Sequence, residues 1–132
     1  VQMAAVKSNY LALRYIQNPT LDILKAAVLQ DPQAMRQITN LDLDTVVELL
    51  KVSTLILGYV PKQLGLTVDM VRQIITEMIA NPAVEDRYVR ELVSNPAIGG
   101  RQSTWPIDIL SLVDVYGSIE AKKIAIDQYL LY

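Results

Sequence analysis

A chain of 132 residues fits one domain and is long enough to bury a core without disulfide or metal staples. With 52% hydrophobic residues, 20% charged residues and a net charge of -2, it is too apolar for disorder, and its cations are too scattered to form a phosphate-gripping run. It contains no cysteine and no histidine, which removes disulfides, thiolate metal sites, the commonest general base and the usual hydrolase triad.

The first residues, Val1-Gln2-Met3, already read as helix, so the sequence is expected to be a piece of something longer. No basic segment leads into an apolar run, so no secretory signal is expected. The longest uncharged apolar stretch, Val52 to Val60, is too short to span a bilayer.

An internal repeat organises the first third. Sliding the chain by 22 residues places Ala4-Ala5-Val6 on Ala26-Ala27-Val28, Ala12 on Ala34, Arg14 on Arg36, Ile16 on Ile38, Asn18 on Asn40 and Leu21-Asp22 on Leu43-Asp44. Nine of the nineteen positions from Ala4 to Asp22 are identical. Asn9 lands on Asp31 and then on Ser53, and Thr20 lands on Asp42. All five are residue types whose side chains cap a helix start, and Pro32 follows Asp31 where a first-turn proline is favoured. Each unit therefore reads as two short helices, one with Leu21, Leu24, Ala27 and Val28 on a face, the other with Met35 and Ile38. Helices this short are unstable alone in water, so they are expected to stack.

A third, degraded copy keeps Leu50, Ser53, Leu57 and Val60, with Gly58 in place of the arginine. The capping box Thr45-Val46-Val47-Glu48 predicts one helix from about Asp44 to Tyr59, kinked near Ser53 and ended by Pro61.

Lys62 to Leu66 reads as a connector around Gly65. Thr67 caps an amphipathic helix with Val68, Val71, Ile74, Ile75, Met78 and Ile79 on one stripe. A second helix carries Val84, Tyr88, Val89, Leu92 and Val93. Asn-Pro pairs at Asn18-Pro19, Asn81-Pro82 and Asn95-Pro96 punctuate the chain, and each proline is expected to open the next helix. Ala97 to Thr104 is the best loop. Trp105-Pro106 is expected to open a helix carrying Ile107, Ile109, Leu110, Leu112, Val113 and Tyr116, with Gly117 as a left-handed terminator and Ser118 capping the last helix. The expected fold is all-α: short helical-hairpin repeats over residues 1–61, then an irregular helical bundle over 62–132, in a single helical domain.

The stretch from Ala5 to Ile38 resembles short helical repeats of unknown function found in bacteriophage and bacterial proteins, on Ala5-Val6-Lys7, Asn9, Ala12-Leu13, Tyr15-Ile16 and Asn18-Pro19-Thr20. The second copy departs from that pattern at Leu29, Pro32, Gln37 and Leu41. The resemblance covers roughly residues 4–44. Its letters are mostly structural, so it supports the fold, implies no catalytic residue and raises the chance of an origin in a phage.

Candidate chemistry is sparse. Asp42, Asp44 and Glu48 could hold a hard cation, but a cap and a favourable helix-dipole interaction explain them more simply, so no metal is assigned. Glu85, Asp86, Arg87, Arg90 and Glu91 read as a solvated mixed-charge face or a partner-docking surface. Arg14 and Arg36 recur in successive copies and would line one ridge. Arg101, in the Gly99–Thr104 loop, and Trp105 complete the candidate partner-binding residues. No cofactor and no enzyme activity is expected. The expected role is a non-enzymatic protein–protein interaction or scaffolding module, plausibly a phage structural or accessory protein in host cytoplasm or particle. Its partners would be another protein or copies of itself. The alternative is a nucleic-acid-binding helical module using the arginine ridge and Lys122-Lys123.

Overall fold

The computed structural model describes residues 2–99 and 105–130, and these are all-α. The only strand-like feature among them is an isolated bridge between Ile98 and Trp105. The chain divides into two compact units, Val1–Gly65 and Leu66–Tyr132.

Unit 1 alternates α-helices with 3-10 helices: α1 (Gln2–Ser8), η1 (Tyr10–Tyr15), α2 (Leu21–Gln30), η2 (Pro32–Gln37), α3 (Leu43–Leu50), η3 (Thr54–Tyr59) and the short η4 (Lys62–Leu64). The alternation is built by three residues of one kind. Asn9, Asp31 and Ser53 are all extended, with φ of -155°, -159° and -157°. The backbone N–H of each closes the preceding helix on the carbonyl of Ala5, Ala27 or Leu49. Its side-chain oxygen meanwhile accepts from the N–H two residues on, at 3.0 Å for Leu11, 2.9 Å for Gln33 and 3.2 Å for Leu55. One residue thus ends an α-helix and starts a 3-10 helix, because a short polar side chain reaches the first free N–H only when its own backbone leaves the helical region.

That geometry corrects the helix expected from Asp44 to Tyr59. The chain breaks at Ser53, and the two pieces are separate helices. The start also lies earlier than the Thr45 box: Asp42 is the cap, accepting from Thr45 N–H at 2.8 Å. Thr20 caps α2 in the same way through Ile23 N–H at 3.3 Å.

The elements form two rows. α1 packs on α2 and α2 on α3, while η1 packs on η2 and η2 on η3. Between the rows lie Val6, Val28 and Leu50 from the α-helices, and Leu13, Met35 and Leu57 from the 3-10 helices, all buried. Ala27 and Ala34 are fully buried and let neighbouring backbones approach. Burial of this kind stabilises two-turn helices that would melt in isolation, at about 25 cal/mol for each Å² of apolar area removed from water.

Unit 2 contains α4 (Val68–Ala80), α5 (Asp86–Ser94), α6 (Ile109–Tyr116) and α7 (Ile119–Leu130). α5 packs on α7, α4 on α6, and α6 on both α5 and α7. Its core includes Val71, Ile75, Ile79, Tyr88, Val89, Leu92, Ile107 and Val113. The Ser118 N–H donates to Ile79 O at 2.8 Å and ties the corner between α6 and α7 to the end of α4.

Several expected boundaries move. Pro82 and Pro96 sit in turns and open no helix. Asn81 and Asn95 make the turns, their Oδ1 atoms accepting from Ala83 and Ala97 N–H at 2.9 Å each. Trp105-Pro106 precedes an extended stretch, and α6 begins after Asp108, which caps it through Ser111 N–H at 3.2 Å. Gly117 is not left-handed: its φ is -67° and ψ 145°. Glycine is required there by space, since a Cβ would stand 2.4 Å from the Val113 carbonyl oxygen.

Candidate functional site

The two arginines of unit 1 reach across the 3-10 row. Arg14, in the last turn of η1, donates from Nε to Gln37 Oε1 on η2 at 3.3 Å. Arg36, in the last turn of η2, lies over the Tyr59 ring of η3, its guanidinium carbon 5.1 Å from the ring centroid. Each arginine therefore touches the residue 23 positions on, one 3-10 helix further along. At the third position stands Gly58, where a Cβ would meet open space. At the other end Tyr15, in the place equivalent to Gln37 and Tyr59, is 82% exposed. The pattern is that of a brace between neighbours.

A groove of about 560 Å³ opens beside the first brace. Its walls are two consecutive loops, one running through Ile16, Gln17, Asn18 and Pro19, the other through Ile38, Thr39 and Asn40. Its floor is Leu13 and Leu24, both buried. Asn18 is the single non-glycine residue at positive φ among the described residues, at 51°. Asparagine tolerates that left-handed conformation, which turns the chain between η1 and α2. The Asn18 and Asn40 carboxamides are solvent-exposed and make no hydrogen bond within the described residues. Arg14 is the one charged residue of the lining, and neither it nor Arg36 has a carboxylate partner among the described residues.

The carboxylates near the α3 start do not converge. Asp42 caps α3, and its hydrogen bonds to the Thr45 side chain and backbone hold its carboxyl below the usual range. Glu48 pairs with Lys51 at 3.4 Å. No group of three or more potential ligands is placed to hold a metal among the described residues.

In unit 2 the mixed-charge face is bound up with itself. Arg87 pairs with Glu91 at 3.1 Å and with Glu85 at 3.3 Å, whereas Arg90 is exposed. Trp105 is 7% exposed, so it is a core anchor and presents no docking face. Arg101 lies outside the described residues, as do 100–104 of the glycine-rich loop. Lys123 pairs with Glu120 at 3.7 Å.

Sequence reasoning missed two surfaces. One is the groove, although the recurrence of Asn18 at Asn40 was its signal. The other is apolar: Leu110, Val115, Tyr116, Ile119 and Ile126 of α6 and α7 are exposed, and Leu110 and Tyr116 are among the apolar residues expected on the helix that became α6. No helix of the described residues is long and apolar enough to cross a membrane.

Comparison of the chain with protein-family models, with curated proteins and with solved structures found no match.

Proposed function

We propose that the chain is a non-enzymatic protein–protein interaction or scaffolding module, and that unit 1 is a short array of 22-residue helical hairpins. The observation that carries this reading is the groove between the two Asn-bearing loops. It is walled by equivalent positions of successive copies, and its amides and guanidinium are left with unused hydrogen-bonding capacity. Its size falls within the roughly 300–1,000 Å³ typical of binding clefts. Stacked short helices supply an extended recognition surface and little chemistry. The resemblance of residues 4–44 to short helical repeats of unknown function in bacteriophage and bacterial proteins fits a structural or accessory role, as in a phage.

The arginine geometry favours this reading over the nucleic-acid one. Arg14 and Arg36 each engage a side chain of the next 3-10 helix, and with a net charge of -2 and singly scattered cations they are not joined by the further positive charges that a phosphate-tracking ridge concentrates on one face.

Size-exclusion chromatography with light scattering, combined with cross-linking capture in the native host, tests the proposal. The expected result is a defined complex, with a second protein or with further copies. A strict monomer that captures nothing while fully folded overturns it. A salt-dependent shift of labelled DNA or RNA that is lost on Arg14→Ala and Arg36→Ala replaces it with the nucleic-acid reading.

A further inference from the structure

We propose that the groove of unit 1 binds an extended acidic peptide segment, with the Asn18 and Asn40 carboxamides pairing to its main chain and the Arg14 guanidinium to a carboxylate side chain. This rests on the interaction-module reading and names the chemistry of the partner.

Three features of the groove select that ligand. The first is the pair of carboxamides. Each offers a donor and an acceptor side by side, which matches the adjacent C=O and N–H of a peptide main chain. The two stand on consecutive loops that wall one groove, and both are without a hydrogen-bond partner among the described residues. An extended segment carries unsatisfied main-chain groups along its whole edge, whereas a helix has already paired all but those at its ends. The amides therefore favour an extended occupant.

The second is charge. Arg14 is the one charged residue of the lining, and the bond from Nε to Gln37 at 3.3 Å leaves its two terminal nitrogens without a partner among the described residues. Such a guanidinium suits a carboxylate, which it can hold through two parallel hydrogen bonds. Asp42, three residues before the lining residue Thr45, is itself engaged by Thr45 at the start of α3. The third is the apolar floor of Leu13 and Leu24, flanked by Ile16 and Ile38, which can seat one aliphatic side chain between the polar anchors.

The test uses the full chain. Random peptides of about twelve residues, long enough to span the groove in extended form, are selected on it by display and remade with a fluorescent label. Binding is then measured by anisotropy. Selected peptides are expected to share an Asp or Glu. Changing that residue to its amide, or Arg14→Gln in the protein, is expected to weaken binding about ten-fold or more, as loss of a charge-assisted pair should. Arg14→Lys retains part of the affinity. Asn18→Gly, which keeps the left-handed turn, and Asn40→Ala each weaken binding several-fold, whereas Ile119→Ser on α7 leaves it unchanged. Thermal melts of each variant show that it is folded.

Peptides whose affinity ignores Arg14→Gln and Asn40→Ala overturn the groove assignment and leave the interaction-module reading standing. Displacement of the peptides by millimolar inorganic phosphate, but not by chloride of equal ionic strength, also overturns it and makes the groove a bare anion site. If no peptide is enriched, the groove assignment is overturned; complex formation by the full chain then decides the broader reading separately.

Discussion

The Arg36 guanidinium covers the Tyr59 ring at 5.1 Å, one 3-10 helix further along the row, and Arg14 makes the corresponding reach to Gln37. The aromatic partner makes Arg36 a cation–π brace, and the charge stays at the surface. Arg36→Ala is expected to lower stability by about 0.5–1 kcal/mol. Tyr59→Leu should cost a similar amount, and the double variant should cost less than their sum. Chemical denaturation of the four proteins gives that coupling directly. A coupling of zero means that the two side chains merely lie near one another.

Two glycines make opposite predictions. Around Gly58 an added Cβ meets nothing, so Gly58→Ala is expected to stabilise by about 0.4–1 kcal/mol through the smaller entropy of the unfolded chain. At Gly117 the same methyl stands 2.4 Å from the Val113 carbonyl oxygen, and the end of α6 would have to shift. Gly117→Ala should lower the melting temperature even though its backbone φ is negative. Differential scanning calorimetry on the pair checks both signs.

Ser53 is 3% exposed and caps η3. Ser53→Ala is expected to cost roughly 1–2 kcal/mol, at the upper end for a lost cap, because the half-buried Leu55 N–H is left without that acceptor. Ser53→Asp should restore the cap only by burying a charge. Urea midpoints at constant m-value separate the two substitutions.

Tyr88 is 1% exposed, and its hydroxyl has no hydrogen-bond partner among the described residues. Tyr88→Phe is therefore expected to hold or raise stability, by up to about 1–3 kcal/mol, the desolvation cost of an unsatisfied hydroxyl. Burial first, then the Glu91 charge, push the Tyr88 phenol far up, against the opposing pull of Arg87. Because the folded value lies above the unfolded one of about 10, its contribution is present below that pH and fades as pH rises beyond it. Tyr88→Phe should flatten the alkaline limb of the stability profile.

At the acid end Asp42 has the opposite sign. Its folded value is lowered by hydrogen bonds from Thr45, so its contribution is present above the unfolded value of about 3.9 and is lost as pH falls through the folded one. The group is solvent-exposed, so added salt should weaken the effect. Asp42→Asn keeps an acceptor for the cap and is expected to remove this pH dependence, as followed by helical circular dichroism between about pH 2 and pH 5.

The sequence by itself determined the all-α fold and several of the places where helices begin. Capping is a local interaction between a side chain and an N–H two or three residues away, so Asn9, Thr20, Asp31 and Thr67 could be read directly. Only the tertiary structure decided the rest. A pattern of apolar residues does not say whether six residues wind as α or 3-10, because that depends on how closely the next helix packs. Nor does it say which apolar residues stay outside: Tyr15, Val115 and Ile119 carry core-like letters but end at surfaces that nothing in their own unit covers. The groove exists only because two loops 22 residues apart are brought side by side, and no stretch of sequence read alone contains that distance.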